Sequence, residues 1–144
     1  MRLQELMSTP VFTVTTQAPV REAQTLMRGK EIHHVIVTEA GRPVGFLSSY
    51  ALRDADPTAR CRAVMDTGIV TAPPRTTARQ AANLFRGRSV SCLAVVEDGD
   101  IVGVVTVSDL LELVGGGMDR PAKPERRVLR VGRGIRAKEL SKPR

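Results

Sequence analysis

A chain of 144 residues with a 42% apolar fraction has material for one compact core, or for two small units that share one. Aromatic residues make up only 3%, which argues against a platform that stacks the bases of single-stranded nucleic acid and leaves the core to Val, Leu, Ile, Ala and Met. The net charge of +7 is concentrated: residues 1–117 hold twelve Lys and Arg against twelve Asp and Glu, whereas residues 118–144 hold ten against three.

The opening run Met1-Arg2-Leu3-Gln4-Glu5-Leu6 has neither the apolar core nor the cleavage site of a signal peptide, and no apolar run approaches a membrane span. The cytoplasm is therefore the expected location. A short extended segment is predicted at Val11 to Val14. A helix follows with apolar positions at Val20, Ala23, Leu26 and Met27, Pro19 suiting its first turn and Gly29 its end. Two β-rich runs come next, Val35-Ile36-Val37 and Val44-Gly45-Phe46-Leu47, and a second helix closes the unit at about Ser49 to Arg53.

The same order then returns. Shifting the sequence by 58 residues aligns Leu3–Leu52 with Cys61–Leu110 without a gap, with identities such as Met7/Met65, Arg21/Arg79, Gly41/Gly99 and Gly45/Gly103. The second copy predicts a strand at Ile69 to Ala72, a helix through Ala78, Ala81, Leu84 and Phe85 ending near Gly87, and strands at 93–96 and 101–105. The Asp98-Gly99 step between those strands is a hairpin signal, and a last helix spans Ser108 to Val114. The predicted units are residues 1–58 and 59–117, with a basic tail at 118–144 beyond the Gly115-Gly116-Gly117 hinge. A unit of this size buries little surface alone, so the two are expected to pair across their sheets. Cys61 and Cys92 lack CxxC spacing and clustered His; they are expected to be free thiols, Cys92 in the core.

Four segments carry a family likeness: Leu6-Met7-Ser8-Thr9-Pro10, the helix start Arg21-Glu22-Ala23, Ile32-His33-His34-Val35-Ile36-Val37, and Gly103-Val104-Val105-Thr106-Val107-Ser108-Asp109-Leu110. Their order, repeated at a fixed offset, resembles the cystathionine-β-synthase (CBS) domain family, and two copies in one chain resemble the regulatory pair called a Bateman module. The resemblance implies an α/β (α+β) fold of two tandem β-α-β-β-α repeats packed as a pseudo-two-fold pair. It also implies homodimers that meet through their helices. It covers about residues 1–115.

The chemistry concentrates at Gly103 to Asp109. Gly103 permits close backbone approach, and Thr106, Ser108 and Asp109 lie where a strand passes into a helix whose first amide groups favour an anion. The resemblance implies that Thr106 meets a phosphate and Asp109 the ribose hydroxyls of an AMP, ADP or ATP-like ligand. Thr106 and Asp109 also have the spacing of a capping box, which needs no ligand. In the first repeat Ser48 keeps the hydroxyl but Ala51 replaces the aspartate, so that site is expected to be degenerate. Ile32 and Val90 are candidates to sandwich adenine. His33, with Ser91 at the matching position, is a candidate for contact near the phosphate. His33 and His34 are adjacent on a strand and diverge, which speaks against a metal site.

The tail carries Arg126, Arg127, Arg130, Arg133 and Arg136 at helix-compatible spacing together with Pro121, Pro124 and Pro143. It reads either as a solvated extension or as a tether for nucleic acid or an acidic partner. No P-loop, metal cluster or nucleophile with its base is evident, so catalysis and a required cofactor are not expected. The expected function is a non-catalytic regulatory module that binds an adenine nucleotide between the repeats and signals to a separate protein. The alternative is a structural adaptor with a vestigial pocket, recruiting its partner through the tail.

Overall fold

The computed structural model describes residues 1–88 and 90–115; the tail at 118–144, and Gly116 and Gly117 of the expected hinge, lie outside the described residues. The elements run α1 (Leu3–Leu6), β1 (Thr13–Thr15), α2 (Val20–Lys30), β2 (His34–Glu39), β3 (Arg42–Ser48) and α3 (Ser49–Leu52), and then α4 (Cys61–Val64), β4 (Ile69–Ala72), α5 (Ala78–Arg88), β5 (Cys92–Glu97), β6 (Asp100–Thr106) and α6 (Val107–Val114). Each half forms its own three-stranded sheet, β1-β2-β3 and β4-β5-β6. The first pair in each is parallel, joined by the crossover helix, and the second is an antiparallel hairpin.

The two sheets repeat each other in detail. Val37 pairs with Gly45 and Val95 with Gly103, and an irregularity follows at the same place in both ladders. Both hairpins turn on two residues of positive φ, Ala40 (53°) with Gly41 (79°) and Asp98 (53°) with Gly99 (82°). That is the twist a two-residue hairpin requires. The mixed α/β architecture expected from the sequence is therefore present, although helix ends differ. Pro19 is the cap before α2, with ψ of 150°, and not a residue of its first turn. Nor does Gly29 end that helix: Glu31 takes the left-handed position at φ 54°, and Ile32 folds into the core with its N–H on the Met27 carbonyl at 3.1 Å. Burial of Ile32 sets the stop, because an apolar contact after the cap accompanies this type of ending. Gly87 likewise lies inside α5. The first strand begins at Thr13, two residues later than expected.

Strand periodicity sorts the core into layers. In β2, Val35 and Val37 face a cluster with Val20, Ala23 and Met27 of α2, while Ile36 points the other way. In β5, Leu93 and Val95 face Ala81 of α5, while Cys92 and Ala94 point the other way. Ile36, Phe46, Cys92, Ala94 and Ile101 meet in a third cluster between the sheets. Both faces of each central strand are buried, hence the continuous apolar runs.

The short helices α1 and α4, which the periodicity did not signal, cross between the halves. Leu3 and Leu6 belong to the cluster of the second sheet, and Cys61 belongs to that of the first. Backbone bonds fasten both crossings. The Leu3 N–H donates to the Thr76 carbonyl at 2.8 Å, and Ser8 and Val104 exchange bonds at 2.9 and 3.2 Å. In the matching place Phe46 and Asp66 exchange bonds, both 2.9 Å, and Arg62 of α4 forms an ion pair with Glu39 of β2.

Candidate functional site

The strand-to-helix junctions place the polar groups. At the end of β6, Thr106 has extended geometry (φ −114°, ψ 168°) and caps α6. Its backbone N–H donates to Asp109 Oδ2 at 2.8 Å, and its hydroxyl lies 3.3 Å from the same oxygen. The Thr106 side chain in turn receives the amide of Asp109, so the two complete a reciprocal box. Both are buried, with Asp109 only 3% exposed. Across the ladder Thr106 pairs with Cys92, whose thiol is pushed upward by burial first and then by the Asp109 and Asp66 carboxylates. At the matching junction of the first repeat, Ser48 Oγ accepts the Ala51 N–H at 3.2 Å and Ala51 is exposed.

Next to Thr106 lies a small, partly open cleft with about 50 Å³ of enclosed space, less than the roughly 300 Å³ at which ligand pockets begin. One wall is the crossing segment Ser8–Phe12, which runs from α1 toward β1; a second is Ile32, His33, His34 and Ile36 at the start of β2; Val104 and Thr106 of β6 close it from the other repeat. The site thus exists only because a segment of one repeat has crossed onto the other. Its walls are apolar at Val11, Phe12, Ile32, Ile36 and Val104, with hydroxyls at Ser8, Thr9 and Thr106 and imidazoles at His33 and His34. Such a lining suits a flat heteroaromatic base with a polar, hydroxyl-bearing appendage. His34 packs on Phe46, ring centroids 6.1 Å apart, while the exposed His33 places Nδ1 at 3.3 Å from Ser49 Oγ.

Of the residues singled out from the sequence, Ile32, His33 and Thr106 come together in this cleft. Asp109 lies behind Thr106, engaged with it, and is not among the lining residues. Gly103 is buried on the same strand as Thr106, facing the side chain of Met7, and Ser108 is exposed on the first turn of α6. Val90 and Ser91 precede β5 on the other sheet, where the Ser91 carbonyl accepts the Val107 N–H at 3.3 Å; Ser48 and Ala51 sit at the junction that matches Thr106 and Asp109. The Ser8–Phe12 wall was not identified from the sequence as part of a site. Its signal was there in Leu6-Met7-Ser8-Thr9-Pro10, a repeated segment that fits neither helix nor strand periodicity.

Comparison with known proteins agrees with this architecture. The CBS domain protein YhcV of Bacillus subtilis is 28% identical over 114 residues, covering 75% of this chain and 81% of its own length. The magnesium transporter MgtE of Thermus thermophilus is 36% identical over 80 residues, 55% of this chain but only 18% of the transporter. Among solved structures, the CBS domain pair of protein MJ0100, in complex with 5′-methylthioadenosine and S-adenosyl-L-methionine, superposes with a TM-score of 0.66 at 23% identity, covering 81% of this chain and 97% of that one. The CBS domain model itself matches twice, at residues 3–57 and 61–116. With two such matches, two equivalent sheets and two equivalent crossings, the chain belongs to the CBS domain family and is a tandem pair, a Bateman module.

Proposed function

We propose that the chain is a non-catalytic regulatory module whose cleft takes an adenosine-containing ligand of the AMP, ADP or ATP class and passes the signal to a partner protein. The observation that carries this reading is the cleft itself: an apolar slot with hydroxyls and two imidazoles, formed jointly by both repeats. A ligand seated there contacts Ser8–Phe12 and Thr106 together, so its binding energy depends on how the repeats pack, which is what a sensor requires. The adenosine compounds bound by the MJ0100 pair support the ligand class. Thr106 faces the ligand, His33 lies near its charged end, and Asp109 reaches the ribose by exchanging its bond to Thr106 for the sugar hydroxyls. The Ser48–Ala51 junction takes none, which makes one ligand per chain. Self-association belongs to the same reading: Tyr50, Leu111 and Val114 expose apolar surface on the short closing helices, where a second copy can cover it.

Thermal unfolding with AMP, ADP, ATP, NAD and S-adenosylmethionine tests the reading. A ligand at a hundredfold over its Kd adds about 2.7 kcal/mol, a rise of several degrees, and the Asp109→Asn variant should lose most of that rise. No rise with any of the five overturns it. One observation favours the adaptor alternative, in which the pocket is vestigial: Asp109 is buried and already serves the α6 cap. A rise that survives Asp109→Asn would remove Asp109 from the site and leave the cleft.

A further inference from the structure

The geometry points to a second binding surface, outside the cleft: the outer face of α5 fits the phosphate backbone of a double-stranded nucleic acid. Residues 67–96 contain four arginines, Arg75, Arg79, Arg86 and Arg88, and no Asp or Glu. The repeat supplies an internal comparison. Arg21 and Arg28 of α2 correspond to Arg79 and Arg86, but the acidic Glu22 and Glu31 that accompany them become Gln80 and Ser89. One fold thus has a mixed-charge helix in its first half and, in its second, a helix whose charged residues are all basic.

Arg79, Asn83 and Arg86 stand at i, i+4 and i+7 on α5 and are all exposed, so they form one stripe. Among the described residues neither Arg79 nor Arg86 has an ion-pair partner. At the start of the stripe the Arg2 guanidinium donates to the Arg75 carbonyl at 2.6 Å, bringing a further cation to the same end. The nearby acids are few. Glu5 of α1 accepts the Arg2 backbone N–H at 2.7 Å, and Glu112 of α6, the helix packed on α5, is half-buried.

The stripe's composition selects the polyanion. Ala81, Leu84 and Phe85 of α5 are turned toward the core, so the outer face has no apolar group to insert into a bilayer. It has no aromatic ring on which single-stranded bases could stack. Arginines and amides at this spacing are instead the groups that contact phosphate and sugar without reading sequence. Seven residues of helix span about 10 Å, close to the roughly 12 Å width of a duplex major groove, so Arg79 and Arg86 can meet phosphates on its two sides.

The test is fluorescence anisotropy of a labelled random-sequence duplex with the full chain, titrated between about 50 and 200 mM salt. Arg79→Gln/Arg86→Gln should weaken binding about tenfold or more and make the log–log salt slope shallower by about 1.8, while Arg21→Gln/Arg28→Gln should change neither. All four arginines are exposed, and circular dichroism checks that each variant is folded. The inference is overturned if the α5 variant binds like the unmodified chain, if both variants weaken equally, or if the unmodified chain binds phosphatidylserine vesicles and not the duplex. None of these outcomes depends on a nucleotide in the cleft.

Discussion

Gly103 and Gly45 are the residues on which the crossings turn. A Cβ at Gly103 would meet the Met7 side chain, its Cβ at 2.8 Å among other atoms; one at Gly45 would meet Met65 Sδ at 2.7 Å and the Asp66 carbonyl at 2.9 Å. Each glycine is therefore the floor under a methionine arriving from the other repeat. Gly103→Ala should cost about 1–3 kcal/mol through overpacking. Pairing it with Met7→Ala should recover part of that loss, which urea midpoints of the single and double variants measure. Additive losses would mean that the two do not share this contact. The cysteines make a second test at this scale. Burial, with a smaller push from Glu22, raises the Cys61 thiol from 9.0 to about 11, and Cys92 is raised too. Both should resist a disulfide reagent in the folded chain and react once it unfolds. Because the unfolded thiols ionise first, stability from this source holds below pH 9 and falls as pH rises from 9 toward 11. Replacing both cysteines with Ala should flatten that decline, as denaturant midpoints across the range would show.

Among the elements, α1 has the greatest consequence for its length. Four residues long, it has no independent stability. It holds through Leu3, fully buried in the core of the second repeat, and through the backbone bonds to Pro74 and Thr76. Leu3→Ala should therefore cost about 2–5 kcal/mol, a core penalty from a residue near the chain start. Met1→Ala, at a position 62% exposed, should cost little. A Leu3→Ala midpoint equal to that of Met1→Ala would show that α1 does not pack this way in solution. The strands and the long helices were legible because alternation and helical spacing are local patterns. Those predictions missed at element ends, namely Pro19, Gly29, Gly87 and the start of β1; at Gly29 the burial of Ile32 and not the residue's own preference decided the outcome.

For the molecule as a whole, reciprocal crossing means that neither half has a complete core of its own. Unfolding should be a single transition, with coincident curves from different probes. The exposed apolar residues Leu111 and Val114, at 66% and 83%, bear on self-association. Sedimentation should show a dimer, and Leu111→Glu/Val114→Glu should give monomers that stay folded by circular dichroism but melt somewhat lower, because the dimer's stabilisation is lost. An unmodified chain that stays monomeric at high concentration would remove the homodimer from the proposed function. No helix among the described residues is long and apolar enough to cross a membrane.

The 58-residue repeat, the order of the strands and of the helices other than α1 and α4, and the family were determined by the sequence alone, because each is written in local periodicity and in motif spacing. Tertiary structure alone decided that the first residues of each repeat pack on the other, that Ser8–Phe12 becomes a wall of the cleft, and that Asp109 lies behind Thr106. These depend on contacts between residues far apart in the chain, and no local pattern encodes which of two nearly identical repeats a segment will join. Similarity between the repeats makes both choices chemically alike; geometry selects one.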